Sequence, residues 1–212
     1  KKFLKKTIEV GPNPEEMSKL QYVEGRILEL SADFEGAVKK WQEVQEGPHR
    51  PSRAKAAVAI ADLLLEQELI DESSAIQDLE KLRFSWRGDR FEFELLRRLG
   101  DLYINVGDYR NGLRTLRQAA THFRDYKEAA EVTQKMIDFF ASLYLENKAD
   151  EMSPITAIAL YDEFKELTPP GRKGAEMVRH LADRLVDVDL LDRASELLQD
   201  QVEFRLDGVE KA

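Results

Sequence analysis

The stretch RRLGDLYINVGDYRNGL, Arg97–Leu113, decides the fold. It places two glycines, Gly100 and Gly112, twelve positions apart among large apolar and aromatic residues. The Gly107-Asp108 pair between them interrupts the apolar pattern and marks a turn. Small residues at this spacing let the axes of two short antiparallel helices approach closely enough for their side chains to interlock. The stretch therefore predicts a tight helical hairpin.

Helical periodicity extends over nearly the whole chain. Apolar residues recur at i, i+3, i+4 and i+7, and no stretch of five or more residues alternates as a strand would. Capping residues and breakers divide the pattern into segments. The predicted helix starts are Asn13-Pro14, Asp71, Asp108, Ser153-Pro154 and Asp189, and the breakers are Gly47-Pro48, Gly88, Gly107 and Pro169-Pro170-Gly171. We predict about ten helices, each antiparallel to its neighbours because the connections are short.

A repeat underlies these helices. Small residues early in the second helix of each predicted pair are Ala37, Ala75, Gly112, Ala157 and Ala194, at spacings of 38, 37, 45 and 37. Twelve residues upstream of four of them lie Gly25, Leu63, Gly100 and Ala182. The spacing of 45 residues predicts an insertion around residues 146–151. The large Leu63 predicts that the two helices of the second pair lie further apart. A period of this length is typical of a solenoid, in which each repeat buries its apolar face against its neighbours.

The third repeat, residues 90–124, resembles the tetratricopeptide-repeat (TPR) family. The resemblance rests on Leu99-Gly100, Tyr103, Gly107, Tyr109, Leu116 and Ala119. Gly112 replaces the usual Ala, and Gly25/Ala37/Trp41 and Ala182/Ala194 extend a weaker match to the first and fifth repeats. The repeats are longer than the family's period of about 34 residues. The resemblance implies an all-α solenoid of about five antiparallel helix pairs, a right-handed superhelix over residues 14–206. An N-terminal extension or the end of a preceding element would occupy 1–13, and a C-terminal tail 207–212.

Composition excludes several classes of function. The net charge is −9 with a pI near 5.1, which disfavours nucleic-acid binding by the whole surface. The chain has no cysteine, so disulfides, thiol nucleophiles and cysteine-ligated zinc are excluded. The apolar runs, such as residues 56–61 and 63–65, are far short of the ~18 residues of a membrane span, and we expect no membrane insertion. The compartment, cytoplasmic or periplasmic, stays open.

A search for catalytic chemistry finds no site. The three histidines, His49, His122 and His180, have no second histidine at metal spacing within their own helices. No nucleophile elbow, phosphate-binding loop or zinc-protease motif occurs. We therefore predict no enzyme, no catalytic residue, no metal and no cofactor. The tripeptide Arg87-Gly88-Asp89 is read as a helix break followed by a cap, with an adhesive role as the alternative.

Charge and aromatic residues each allow two interpretations. Residues 87–124 hold eight arginines, no lysine and five acids. They form either an ordinary solvated face or a basic patch that receives an acidic peptide. The aromatic residues Phe84, Trp86, Phe91, Phe93, Phe139, Phe140 and Tyr144 are read as core packing between repeats, with partner-binding hot spots as the alternative. Of Trp41 and Trp86, whichever is exposed is a contact candidate.

The resemblance implies that the first helix of each pair lines the binding surface. The predicted partner-binding residues on these helices are Lys19, Tyr22, Arg26, Arg97, Asp101, Asn105, Arg179 and Asp183, with Glu29, Ile60, Leu64, Gln67, Asp138 and Ser142 on the same predicted face. The basic patch adds Arg98 and Arg114 as predicted partner-binding residues. This mixture suits a peptide held by polar and ionic contacts rather than a deep apolar pocket.

We hypothesise a non-enzymatic scaffold or adaptor that binds a peptide or partner protein along the solenoid, as a domain of a larger bacterial protein. The alternatives are a structural component of a bacterial envelope or motility assembly, a nucleic-acid-binding helical repeat that uses the Arg-rich third repeat, and an accessory domain of an enzyme. Homo-oligomerisation stays open.

Overall fold

A computed structural model describes residues 13–146 and 148–204 of the chain. These residues contain ten α-helices, two short 3-10 helices and no strand, so the predicted all-α fold of five helix pairs is confirmed. The α-helices are α1 Pro14–Leu30, α2 Phe34–Glu46, α3 Arg50–Glu66, α4 Glu72–Ser85, α5 Arg90–Asn105, α6 Tyr109–His122, α7 Lys127–Leu145, α8 Pro154–Phe164, α9 Gly171–Asp187 and α10 Leu191–Phe204. The predicted N-terminal extension, apart from Asn13, and the C-terminal tail lie outside the described residues.

Side-chain caps begin most helices where the sequence predicts them. Asn13 and Glu16 form a reciprocal capping box at the start of α1, with nitrogen–oxygen distances of 2.9 and 3.0 Å. Asp71 accepts a hydrogen bond from the backbone N–H of Ser74 at 2.7 Å. Hydrogen bonds from the side chain and then the backbone of Ser74 lower the pKa of the Asp71 carboxyl. Two caps were not predicted. Asp33 accepts from the backbone N–H of Gly36 at the start of α2, and the ring nitrogen Nδ1 of His49 accepts from the backbone of Ser52 at the start of α3.

The predicted insertion lies in the connection between α7 and α8. Lys148–Glu151 forms a 3-10 helix there, and Ser153 then caps α8 through the backbone N–H of Thr156 at 3.1 Å. A second 3-10 helix, Lys165–Leu167, follows α8. Short 3-10 segments are common connectors between α-helices. The extra length of the fourth repeat is therefore taken up between its two helices.

The chain divides into two compact units, residues 1–115 and residues 116–212. The described part of the first unit holds α1 to α5 and the first half of α6. That of the second unit holds the rest of α6 and α7 to α10. We call them the N-terminal and the C-terminal unit and describe each by itself.

In the first repeat of the N-terminal unit, Gly25 of α1 makes room for Trp41 of α2. An ideal Cβ on Gly25 would lie 2.5 Å from Cδ1 of Trp41, closer than any side chain tolerates. The indole is fully buried and its Nε1 donates to the backbone carbonyl of Tyr22 at 3.1 Å. The close approach predicted from the twelve-residue spacing is confirmed in this pair.

The third repeat shows the same close approach at Gly112. An ideal Cβ there would lie 2.7 Å from Cγ1 of Ile104 and 3.1 Å from the backbone oxygen of Gly100. The α5–α6 turn passes through Gly107, whose φ of +82° lies in the left-handed region that glycine adopts without strain. The hairpin predicted from Arg97–Leu113 is therefore confirmed.

Two buried clusters join successive repeats in the N-terminal unit. The first, which we call the tryptophan cluster, combines α2 and α3 through Ala37, Trp41, Val44, Ala56, Ala59 and Leu63. The second, the leucine cluster, combines α3, α4 and α5 through Ala61, Ala75, Ile76, Leu79, Leu95, Leu99 and Leu102. Each cluster takes side chains from one repeat and from the first helix of the next. This is the stacking that a helical repeat requires.

Aromatic side chains form the core of the C-terminal unit. Phe140 of α7 lies 5.3 Å from the ring of Tyr144 and 6.2 Å from that of Tyr161, measured between centroids. The hydroxyl of Tyr144 donates to the backbone oxygen of Ala157 at 2.9 Å, and burial raises its pKa. Phe140 and Tyr144 are therefore core residues, as predicted, and these contacts lie within the fourth repeat. Gly174 of α9 adds a close approach that the repeat pattern did not predict, because a Cβ there would overlap the backbone oxygen of Pro169.

Candidate protein-binding face

The first helices of the N-terminal unit lie side by side. Helix α1 contacts α3, and α3 is joined to α5 by an ion pair between Asp62 and the Nε of Arg98 at 2.7 Å. The candidate residues of these helices therefore fall on adjacent helices. We call their exposed and partly exposed side chains the first-helix face, comprising Lys19, Tyr22, Arg26, Glu29, Ile60, Leu64, Gln67, Arg97, Asp101 and Asn105.

Two residues of this face, Tyr22 and Ile60, are the ones that we call its apolar centre. Tyr22 and Ile60 are partly buried, and both pack against the tryptophan cluster. The ring of Tyr22 lies 6.4 Å from that of Trp41 at an angle of 31°. Burial raises the pKa of the Tyr22 hydroxyl, and the charge of Arg26 opposes that rise. An aromatic ring and an aliphatic side chain held by a rigid core are suited to receive an apolar side chain of a partner.

Charged side chains flank this centre on α1. Arg26 pairs with Glu29 at 2.6 Å one turn further along the helix. Lys19 is exposed and has no ion pair among the described residues. One edge of the face thus carries an ammonium group open to solvent.

On α5, the predicted contact residues are engaged with neighbouring side chains. Arg97 lies 3.5 Å from Glu94, and its guanidinium stands over the ring of Phe93 at 5.5 Å from the centroid. The side-chain amide of Asn105 donates to Glu72 of α4 at 3.0 Å. Asp101 is partly buried on the same helix.

Several of the arginines in residues 87–124 form ion pairs with carboxylates of the same protein. Arg87 contacts Glu92 at 3.1 Å, Arg90 contacts Glu94 at 2.6 Å, and Arg98 contacts Asp62. In the C-terminal unit, Arg117 contacts Glu166 at 3.0 Å and stands over the ring of Phe164 at 4.5 Å. Arg110 and Arg114 are exposed on α6. The excess of arginine along the sequence is therefore offset by carboxylates, several of which lie far away in the chain.

The Arg87-Gly88-Asp89 tripeptide is fixed by local contacts. Asp89 caps α5 by accepting from the backbone N–H of Glu92 at 3.1 Å, and it also accepts from Nε1 of Trp86 at 2.7 Å. Gly88 has a φ of +90° and donates its N–H to Glu92. These contacts agree with the interpretation as helix break and cap.

The aromatic residues near this loop differ in burial. Phe93 is fully buried, and Trp86 is half-buried beside Phe91 at 5.2 Å between centroids. Phe84 contradicts the core interpretation, because it is 80% exposed. It follows the buried Leu79 by five positions, so that the helical turn directs it away from the buried side of α4.

An apolar cavity of about 710 Å³ lies between α2 and α3, where the sequence predicted no apolar pocket. Its apolar lining comes from Phe34, Val38, Leu63, Leu64 and Leu69. Leu63 occupies the position that glycine fills in two other repeats. It is fully buried in the tryptophan cluster and therefore packs toward the preceding repeat.

In the C-terminal unit, the predicted residues are solvent-accessible. Asp138 and Ser142 of α7 line a polar cleft of about 600 Å³ together with Glu131, Gln134, Lys135, Phe139, Glu146 and Lys148. Arg179 and Asp183 are exposed on α9. His180 between them is half-buried, with its Nδ1 at 3.3 Å from the backbone oxygen of Tyr144.

Two features are absent from residues 13–146 and 148–204. No group of three histidine or acidic side chains is placed to hold a metal ion there. In the same ranges, no helix combines the length and the apolar character that crossing a bilayer would need.

The comparisons with known proteins identify the fold. No family model and no curated protein matches the sequence. A solved structure of nearly identical TPR-like repeats, from a Podosopora anserina protein with a kinesin light chain designation, is similar over 91% of this chain and 98% of that chain, with a TM-score of 0.50 and 14% identity. A structure of MamA protein covers 92% of this chain and 98% of its own, with a TM-score of 0.45 and 16% identity. The protein has the fold of a TPR-like helical repeat, as the third repeat predicted.

Proposed function

We propose that the protein is a non-enzymatic interaction module that binds a peptide segment of another protein on its first-helix face. One observation carries the proposal: Tyr22 and Ile60 are both only partly covered, and both pack against the buried tryptophan cluster. Lys19 and the Arg26–Glu29 pair lie beside this centre on α1. A small aromatic and aliphatic centre with a polar rim is the usual anatomy of a peptide-binding surface.

The ion pairs support an apolar rather than an electrostatic anchor. Arg97 and Arg98 already contact Glu94 and Asp62. An acidic partner would have to displace these carboxylates, and an exposed ion pair contributes only about 0–1 kcal/mol. We therefore propose a peptide whose apolar side chain packs on Tyr22 and Ile60, with an acidic group near Lys19. The arginines of α5 have a secondary role in this proposal.

The test is selection of peptides from a phage-displayed library of random sequences on the full-length chain. The selected peptides are then titrated against the wild type and against the double variant Tyr22→Ala/Ile60→Ser. Truncating an anchor contact costs about 2 kcal/mol, so we expect binding at least tenfold weaker. A double variant that folds as judged by circular dichroism and binds equally well would contradict the proposal.

A matched control addresses the arginines. The triple variant Arg97→Glu/Arg98→Glu/Arg114→Glu reverses charge on α5 and α6 while leaving Tyr22 and Ile60 in place. We expect the selected peptides to lose less affinity here than in the double variant. A larger loss in the triple variant, with a steep dependence on salt, would show that a basic patch and not the apolar centre binds the partner.

A further inference from the structure

Helix α1 is apolar on two opposite sides. Its buried side, at Gly25, packs against α2. On the other side four large apolar side chains are exposed to solvent, with exposed fractions of 51, 52, 57 and 81%. They are Leu20, Val23, Ile27 and Leu30, which we call the outer stripe.

The outer stripe has the spacing of a coiled-coil seam. Its residues follow one another at intervals of three, four and three, so Leu20 and Ile27 occupy heptad positions a, and Val23 and Leu30 occupy positions d. A helix that is apolar on both sides is typically buried on both sides. The described residues cover only one side of α1, and a second helix on the outer stripe would complete its burial.

The charges beside the stripe indicate which helix fits. Lys19 and Arg26 fall at position g on one edge, and Glu24 falls at position e on the other edge. In a parallel helix pair a g residue faces the e residue five positions later on the partner, so Lys19 of each copy would face Glu24 of the other. In an antiparallel pair g faces g, which would place Lys19 against Arg26. A parallel second copy of α1 is thus the complementary partner.

The local ion pairs leave these groups accessible. Lys19 has no ion pair among the described residues, and Glu24 lies 3.7 Å from Lys40 with more than half of its side chain exposed. The helix is also preformed, because α2 and α3 hold its inner side. Two heptads can therefore associate without the cost of folding an isolated short helix.

We propose that the protein forms a symmetric homodimer through the outer stripe, with the α1 helices of two copies parallel. The interface is isologous, so each contact occurs twice about the two-fold axis. It lies on the side of α1 opposite to Gly25 and does not use Tyr22 or Ile60. The dimer and the proposed peptide site share Lys19 but no apolar side chain, so the substitutions in the outer stripe test dimerisation while Tyr22 and Ile60 stay in place.

Sedimentation velocity of the full-length chain over about a hundredfold range of concentration tests the proposal, because dimerisation follows mass action. We expect a reversible monomer–dimer equilibrium. The double variant Leu20→Ser/Ile27→Ser should be monomeric throughout that range. The matched control is Phe84→Ser, which removes a side chain that is 80% exposed on α4 and should leave the equilibrium unchanged.

A charge exchange tests the parallel orientation. Lys19→Glu should weaken the dimer roughly tenfold, because two attractive pairs become repulsive. Lys19→Glu/Glu24→Lys should recover most of the loss. Lys55→Glu on α3 is the control for a change of net charge. If Lys19→Glu tightens the dimer, or if the exchange recovers nothing, the parallel arrangement is overturned.

Two further outcomes overturn the proposal altogether. One is a wild type that stays monomeric at every concentration and loses stability in the stripe double variant, which would show that another part of the same chain covers the stripe. The other is a dimer that the stripe double variant leaves intact, which would place the interface elsewhere.

Discussion

The two buried clusters of the N-terminal unit make the same kind of junction with different side chains. The tryptophan cluster gathers most of its buried aromatic surface in one residue, Trp41, and needs a glycine on the facing helix to admit it. The leucine cluster spreads its burial over four leucines and an isoleucine on two helices. The comparison shows that a junction between repeats can bury one large side chain or several smaller ones. The two clusters should therefore lose different amounts of stability when a single side chain is truncated.

Trp41→Ala should have the largest effect. The substitution removes a fully buried indole and leaves the backbone oxygen of Tyr22 without its Nε1 donor. Truncation of a buried large aromatic costs about 3–5 kcal/mol, and we expect about 4 kcal/mol. Urea-induced unfolding followed by circular dichroism measures the loss. A loss under about 1 kcal/mol would show that the cluster does not depend on this residue.

Leu99→Ala should cost less in the leucine cluster. Leu99 is fully buried, but four other large aliphatic residues share the cluster. We expect a loss of about 3 kcal/mol in the same unfolding experiment, since leucine truncations in cores cost about 2–5 kcal/mol. If Leu99→Ala is more damaging than Trp41→Ala, the contrast between concentrated and distributed packing is wrong.

Gly112→Ala should have a smaller effect. The nearest atom to the added methyl is Cγ1 of Ile104, a partly exposed side chain that can move. We expect a loss of about 1 kcal/mol, at the low end of overpacking costs. Differential scanning calorimetry would detect it as a lowered Tm. If this change unfolds the third repeat, the backbone around Gly100 cannot shift to accommodate the added methyl group.

The smallest effect should be a dependence on alkaline pH in the leucine cluster. The hydroxyl of Tyr103, whose ring packs on this cluster, donates to Glu80 at 3.0 Å. Burial, followed by the charge of Glu80, raises its pKa from 10.0 to about 12. The folded state therefore favours the neutral phenol, and this stabilisation is present below pH 10 and disappears between pH 10 and 12. Unfolding free energies measured across that range should fall less in Tyr103→Phe than in the wild type, and equal slopes would contradict this assignment.

The close approaches at Gly25 and Gly112 could be predicted because they depend on residues within one hairpin. Gly25, Ala37 and Trp41 lie within one hairpin, as do Gly100 and Gly112, and helical geometry alone brings each set together. The same holds for caps such as Asn13 and Asp71, which act on residues three positions away. Local patterns were sufficient for the hairpins and for the order of repeats.

The electrostatics of the candidate face could not be predicted in this way. Arg98 meets Asp62, which is 36 positions away, and Arg117 meets Glu166, which is 49 positions away. A count of charges along a segment does not include carboxylates from other helices. The apolar cavity at Leu63 was not predicted for a related reason, because it depends on how neighbouring helices are placed. The exposure of Phe84 follows instead from the periodicity of α4 itself. Lys19, Tyr22 and Ile60 stay predictions as binding residues.

The most direct test of the central claim, that small residues admit large ones where the repeat helices meet, is a double-mutant cycle at Gly25 and Trp41. Gly25→Ala alone should cost about 2 kcal/mol, because its Cβ would overlap the indole. In the Trp41→Leu background the space is partly vacated, so the same change should cost at least about 1 kcal/mol less. Additive effects of the two substitutions would contradict the account.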